Sequence, residues 1–161
     1  MSLAKTFYLL KDAEARTGEL YSLIGLSVSI TQPALSDLFN ELAEEEQLHA
    51  RQIDLMRNIF LQSLDAFLET PEAEKAIAEF KQNLDMIRDY FNQHFGQMQP
   101  ADLINLALDI ERNLVERHQA FFFHVSDQQV KKLFENLNLG NTAHIRRLEE
   151  FKAGGQASPG A

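Results

Sequence analysis

The sequence predicts an all-α fold of two helical hairpins joined by a long crossover that contains a short helix. Apolar residues recur at three- and four-residue spacing along most of the chain. No segment shows the sustained alternation of apolar and polar residues expected of a strand. A set of residues in the first half recurs in register in the second half, which indicates two related hairpins about a pseudo-two-fold axis. With 161 residues the chain is long enough for one domain with a single buried core, which we assign to residues 1–153.

The first hairpin is predicted from apolar periodicity and one proline. Apolar spacing supports a helix from Ala4 to Leu26. The stretch from Ser27 to Gln32 has low helix propensity, and Pro33 suits the first turn of the next helix, which we expect to continue to Phe60.

The crossover and the second hairpin follow the same logic. Thr70-Pro71 begins a connecting helix that we expect to end near Phe95-Gly96. A third long helix is predicted from Pro100 to Val125. The pattern Ser126-x-x-Gln129 is a capping box, so the fourth long helix should begin there and end near Ala153. Residues 154–161 are Gly, Ala, Gln, Ser and Pro without periodicity and are predicted to be a disordered tail.

Composition excludes several classes of function. The formal net charge of -9 argues against nucleic acid or an anionic membrane as a partner. The absence of cysteine excludes disulfides, thiolate metal sites and iron–sulfur clusters. The first residues lack the apolar core of a signal peptide, and the apolar run from Leu20 to Ile30 is too short to span a bilayer. We therefore expect a soluble, cytoplasmic protein.

The repeated pattern is a pair of metal-ligand half-sites. The copies read Phe39-x-x-Leu42-x-x-x-Glu46-x-x-His49-x-Arg51-x-Ile53-Asp54 and Phe134-x-x-Leu137-x-x-x-Asn141-x-x-His144-x-Arg146-x-Leu148-Glu149. A carboxylate lies upstream of each copy, Glu14 in the first hairpin and Glu111 in the second. Glutamate on one helix and Glu-x-x-His on the next is how four-helix bundles build a two-metal carboxylate site.

This pattern predicts a buried metal centre. Glu46 and His49 are three residues apart and project from one side of their helix, together with apolar residues. A buried carboxylate beside a buried imidazole is costly unless a cation compensates the charge. Mixed carboxylate and imidazole ligands favour iron(II), manganese or zinc. The predicted ligands are Glu14, Glu46, His49, Glu111 and His144, with Asn141 as a weak ligand or none. The alternative is a bundle that kept the pattern and lost the metal.

At these residues the chain resembles the rubrerythrin branch of the ferritin-like superfamily. The resemblance covers about Ala4 to Phe151 and rests on Glu14-x6-Tyr21, Leu42-Ala43-Glu44-Glu45-Glu46-x-x-His49, Glu111-x6-His118 and His144-x-x-x-Leu148-Glu149-Glu150-Phe151. It implies a ferritin-like four-helix bundle with two irons, often dimeric, that reduces hydrogen peroxide or dioxygen. Zinc or manganese could replace iron. Because the chain has no cysteine-rich electron-transfer module, the electrons would come from a separate donor such as a rubredoxin.

The resemblance also implies ligand roles. Glu14 and Glu111 would be terminal ligands on opposite metals, Glu46 would bridge them, and His49 and His144 would each bind one metal.

The chain departs from the family pattern at three positions. The second bridging glutamate falls on Asn141, a further carboxylate falls on Leu114, and His118 stands where the family has tyrosine. A neutral amide is a poor bridge, so we expect unequal occupancy. The metal at Glu14, Glu46 and His49 should bind more tightly. The metal at His144 would be weak, absent, or completed by an anion or water.

Several other residues have two readings. His118 is either an additional ligand or outer partner, or an ordinary core histidine. Asp54 and Glu149 either orient the imidazoles of the opposite hairpin or are solvated acids. His94 and His124 are expected to be structural or on the surface. The run from Phe121 to Phe123 either lines a subunit interface or packs beneath the connecting helix.

Three functions are compatible with the sequence. The leading one is a rubrerythrin-type oxidoreductase that reduces peroxide or dioxygen. Measurements of metal content and of peroxide turnover test it. The second is a non-catalytic iron-binding or iron-handling bundle, which Asn141 and Leu114 favour. The third is a structural bundle with a degenerate metal site.

Overall fold

The computed structural model describes residues 3–60, 71–122 and 128–156 of the chain. These residues form five α-helices and no strand, which confirms the predicted all-α class. The helices are α1 (Leu3–Val28), α2 (Pro33–Phe60), α3 (Pro71–Gln93), α4 (Pro100–Phe122) and α5 (Gln128–Gln156).

Three helices begin at a proline. Pro33, Pro71 and Pro100 are the first residues of α2, α3 and α4. The first turn of a helix tolerates proline because its N–H groups have no partner within the helix, and the ring presets a helical φ. The predicted starts of these three helices are therefore confirmed.

Two elements differ from the sequence prediction. Helix α3 lies within the predicted bounds but has 23 residues, as many as α4, so the crossover helix is not short. Its buried side chains Phe80, Leu84 and Phe91 form an apolar stripe that packs along its length. Helix α5 continues through Gln156, beyond the predicted end at Ala153. Ser126 of the capping box and residues 157–161 lie outside the described residues.

The helices pack as two antiparallel hairpins, α1 with α2 and α4 with α5. In the first hairpin Gly18 of α1 lies against α2, where a Cβ atom would be only 3.0 Å from the carbonyl oxygen of Ala43. Glycine therefore allows a close approach of the two backbones. In the second hairpin, Arg112 pairs with Glu149 at 3.2 Å.

Helix α3 packs against α1 and α4. Charged pairs accompany the apolar stripe on the α1 side: Arg16 pairs with Asp85, and Lys81 lies 2.5 Å from Asp12. These partly exposed pairs link α3 to α1 beside the buried stripe.

The two hairpins approach each other along α2–α5 and α1–α4, and their backbones come close less often there than within either hairpin. The apolar core extends through all five helices, and buried polar side chains lie between the hairpins. Among the described residues, no helix has the length and apolarity needed to cross a bilayer.

Candidate metal centre

The six predicted ligand positions all lie in the interior. Relative exposure is 0% for five of them and 8% for His49. The five fully enclosed residues are Glu14, Glu46, Glu111, Asn141 and His144. Charged side chains are rarely fully buried unless they are paired or bind an ion, so this group requires an explanation.

Five of these side chains form two clusters with one shared member. Glu14, Glu46 and His49 make up position one, and Glu46, Glu111 and His144 make up position two. In each cluster the candidate ligand atoms lie within 4.8 Å of one another. Because Glu46 belongs to both, the two positions are adjacent and Glu46 lies between them.

Each helix of the two hairpins contributes to the centre. Glu14 comes from α1, Glu111 from α4, and His144 from α5. Glu46 and His49 share one side of α2, as their three-residue spacing requires. The close approach of α1 to α2 at Gly18, one turn after Glu14, brings the Glu14 carboxylate beside α2.

Position one consists of atoms without well-oriented hydrogen bonds. His49 Nδ1 lies 3.6 Å from Glu14 Oε2 and 3.4 Å from Glu46 Oε2. Both carboxylate oxygens of Glu14, both of Glu46, and His49 Nδ1 are buried and lack a well-oriented hydrogen bond, although imidazole nitrogens lie 2.8 Å from Glu14 Oε1 and 2.9 Å from Glu46 Oε1. Buried polar atoms are normally hydrogen-bonded, so five poorly oriented ones in one place form a set of donors that a metal ion could engage.

Position two is more fully engaged by the protein. His144 Nδ1 lies 2.9 Å from Glu46 Oε1 and 3.3 Å from Glu111 Oε1. The Tyr21 hydroxyl donates to Glu111 Oε1 at 2.8 Å, and Asn141 Nδ2 donates to Glu111 Oε2 at 2.9 Å. Both oxygens of Glu111 therefore already accept hydrogen bonds. The Asn141 Oδ1 atom is buried and makes none.

The carboxylates of the centre titrate differently. Burial alone would raise the pKa of Glu14, but hydrogen bonds involving Glu46 and His118 lower it well below its ordinary value. Burial, with repulsion from Glu14 and Glu111, raises the pKa of Glu46 well above its ordinary value. Adjacent carboxylates ionise together only with a compensating charge, so of these two carboxyl groups Glu46 has the greater tendency to keep a proton.

The imidazoles titrate as strong bases. Burial lowers the pKa of an imidazole, but Glu14 and Glu46 outweigh burial and raise the pKa of His49 to about 10. Glu111 and Glu46 likewise raise the pKa of His144 to about 11. In the absence of metal, imidazolium ions therefore balance the carboxylates at neutral pH. A divalent ion can replace those protons.

Each terminal carboxylate is contacted from the opposite hairpin. Tyr21 of α1 donates to Glu111 of α4, and His118 Nε2 of α4 lies 2.8 Å from Glu14 Oε1 of α1. His118 is fully buried. The structure thus gives His118 the position of an outer partner to Glu14, equivalent to that of Tyr21 on the other side.

The outer partner of His144 is Glu45, which the sequence analysis did not single out. His144 Nε2 lies 2.7 Å from Glu45 Oε2. Arg147 donates to Glu45 Oε1 at 2.6 Å and to Glu41 Oε2 at 2.7 Å. The run Glu44-Glu45-Glu46 was the available signal, since Glu45 directly precedes a ligand.

The residues proposed for that role lie elsewhere. Asp54 pairs with Lys11 at 3.2 Å, and Glu149 pairs with Arg112 at 3.2 Å, so neither orients a ligand imidazole. They are the partly solvated acids of the alternative reading. Leu114 is buried in the apolar core and offers no ligand atom.

The remaining predicted residues lie away from the centre or outside the described part. His94 Nδ1 lies 2.8 Å from the Tyr90 carbonyl oxygen, near the end of α3, as expected of a surface or structural histidine. His124 lies outside the described residues, and so do the side chains of Phe121 to Phe123.

The two imidazoles stack across the interface between the hairpins. The ring centroids of His49 and His144 are 5.5 Å apart with an interplanar angle of 21°. Gly140 of α5 lies against His49, where a Cβ atom would be only 2.6 Å from Nε2. The glycine leaves the space that the His49 ring occupies.

Comparison with models of protein families, with characterised proteins and with solved structures finds no significant match to this chain.

Proposed function

We propose that this chain is a ferritin-like helical bundle that binds divalent metal at the buried centre formed by α1, α2, α4 and α5 and acts as a rubrerythrin-type oxidoreductase on peroxide or dioxygen. One observation carries the proposal. The buried carboxylate Glu46 is shared by two ligand clusters, and its oxygens and those of Glu14 lack well-oriented hydrogen bonds. A pair of metal positions about a shared carboxylate is the arrangement that such bundles use.

The donor set fits a divalent transition metal. The two positions together offer three carboxylates and two imidazoles, a mixture that suits iron(II), manganese or zinc more than magnesium or calcium. Bound iron would supply electron transfer to the oxidant. Glu14, Glu46 and Glu111 would offset its charge, and the apolar core around them would exclude bulk water.

Position one is the tighter of the two in this proposal. Two of its oxygens, Glu14 Oε1 and Glu46 Oε1, are contacted by imidazoles at 2.8 and 2.9 Å, but none of its ligand atoms makes a well-oriented hydrogen bond. At position two, metal has to compete with Tyr21 and Asn141 for the oxygens of Glu111. An amide at residue 141 also leaves that position one negative charge short of a glutamate. We therefore propose one firmly bound ion and a second that binds more weakly.

Access and electrons come from outside the buried centre. His49 is the one ligand with measurable exposure, so the oxidant would approach on that side. The chain has no cysteine and holds no thiolate redox group, so a separate protein would donate electrons.

The test compares metal content and peroxide consumption. Wild-type protein reconstituted anaerobically with iron(II) should bind one iron firmly and a second weakly, and should consume peroxide with turnover when a reductant is supplied. Glu46→Ala should lose both properties, because it removes the shared ligand. Glu44→Ala removes the same charge from an exposed neighbouring position and should keep both. Wild-type protein that binds no metal would refute the proposal.

A second candidate function is non-catalytic iron binding. Asn141 favours this function. Its neutral amide, which donates a hydrogen bond to Glu111, stands where a carboxylate would stabilise iron(III). This alternative predicts stoichiometric iron uptake without peroxide turnover. Asn141→Glu would then bind a second iron. If that variant also gained peroxide turnover, the native asparagine would be the cause of the missing activity.

A further inference from the structure

The outer contact of His144 is a fixed ion-paired group. Glu45 uses both carboxylate oxygens, Oε2 toward His144 Nε2 and Oε1 toward Arg147. Arg147 is held in turn by Glu41. A carboxylate fixed at both oxygens leaves the ring of His144 one favourable orientation, in which Nε2 faces Glu45 and Nδ1 faces Glu46 and Glu111.

The sequence repeat gives this contact a counterpart. The register that equates Glu46 with Asn141 and His49 with His144 also equates Glu45 with Gly140. The geometry agrees, because a Cβ atom at residue 140 would point at His49 Nε2 from 2.6 Å. Residue 140 of α5 is therefore placed to contact His49 as Glu45 contacts His144, but glycine has no side chain to make that contact.

We propose that Glu45 is a positioning residue that presents Nδ1 of His144 to the metal centre, and that Gly140 leaves His49 without an equivalent. Outer carboxylates that accept the second N–H of a ligand imidazole fix its tautomer and orientation, and their loss typically lowers metal affinity about 10–100-fold. The effect on affinity rests on the proposed function. The contact between Glu45 and His144 does not, because it is formed without metal.

The first measurement tests the contact in metal-free protein. With ¹⁵N-labelled histidine, the Nε2–H proton of His144 should resonate far downfield and exchange slowly with water. Glu45→Ala should abolish this signal, while Glu45→Gln should retain a weaker one because the amide oxygen still accepts. Glu44→Ala is the matched control and should leave it unchanged. A signal that survives Glu45→Ala overturns the proposal.

The second measurement tests the consequence with zinc alone. Wild-type protein should show His144 ligated through Nδ1, and Glu45→Ala should weaken zinc at position two about 10–100-fold. Glu44→Ala should change this affinity less than about twofold. Equal affinities in the two variants would overturn the positioning role.

The two failures are distinguishable. If wild-type protein binds no zinc or iron, the proposed function fails and the positioning role fails with it, whatever the proton signal shows. If wild-type protein binds zinc and only the dependence on Glu45 is missing, the proposed function stands and this inference fails. Thermal unfolding of each variant, compared with Glu41→Ala, separates the loss of the Arg147 ion pairs from the loss of ligand orientation.

Discussion

Binding of a divalent ion at position one should release protons at neutral pH. The two carboxylates facing His49 raise its pKa to about 10, so the ring is protonated in metal-free protein at pH 7. A ligand imidazole must be neutral to bind metal. Glu46, whose pKa is raised well above its ordinary value, must also lose any proton it holds. At least one proton therefore leaves for each ion bound.

The size of the effect follows from the pKa of His49. Between pH 7 and a pKa of about 10 there are three pH units, which correspond to roughly 4 kcal/mol, or a thousandfold in apparent affinity. Each unit of pH below the pKa should lower the affinity about tenfold for one released proton and about a hundredfold for two.

Isothermal titration calorimetry measures this release directly. Zinc is titrated into metal-free protein at one pH in buffers with different enthalpies of ionisation. The slope of the observed heat against the buffer enthalpy gives the number of protons released. A second series, between about pH 6 and pH 8, gives the dependence of affinity on pH. This whole range lies well below the pKa of His49, so the ring is protonated throughout it before metal binds.

A slope of zero would refute the reasoning, because it would mean that His49 is already neutral before metal binds. His49→Gln supplies the control. It lacks the ring that carries the proton, so zinc should bind it more weakly but with about one proton fewer released.

Three further outcomes follow from the same geometry. Asn141→Glu should raise the affinity for a second ion, measured by metal stoichiometry. It should also destabilise metal-free protein by about 1–3 kcal/mol in denaturant unfolding, because it replaces the donor to Glu111 with a like charge. Gly140→Ala should weaken metal binding at position one, because its Cβ would collide with His49. Gly154→Ala, which has nothing within 4 Å, should bind metal normally and gain up to about 1 kcal/mol in unfolding. Finally, the pKa of His49 is about 10 in the folded chain and 6.5 ordinarily, so protonated His49 stabilises the metal-free fold. This stabilisation is complete below about pH 6.5 and is lost as the pH rises toward about 10. Thermal unfolding across that range should show the loss in metal-free protein and not in zinc-loaded protein.

The starts of three helices and the common direction of Glu46 and His49 could be predicted because both depend on local rules. Prolines begin three helices, and the three-residue spacing of Glu46 and His49 sets their common direction whatever the packing. The repeat then identified the second hairpin by analogy, including the asparagine that lacks a charge.

The outer contacts could not be predicted because they depend on how the hairpins meet. Asp54 lies five residues after His49, which turns it about 140° around the helix and away from the centre. Glu45 contacts His144 only because α2 and α5 lie side by side at the level of these two residues. Comparing the repeats could not reveal it, since its counterpart Gly140 carries no side chain. The packing of α3 could not be predicted for a similar reason, because its apolar stripe packs against helices distant in the sequence, α1 and α4.

The position of the centre also determines which part of the molecule metal holds together. The backbones of the two helices within each hairpin come close along much of their length, whereas those of the two hairpins come close less often, and α3 packs against one helix of each. Position two draws its ligands from both hairpins, Glu46 from the first and Glu111 and His144 from the second, so an ion there links the hairpins. An ion at position one instead links α1 to α2 within the first hairpin. Removal of metal from position two should therefore loosen the contact between the hairpins, and hydrogen exchange should quicken first where α2 faces α5. The occupancy of position two would set how firmly the two hairpins are held together.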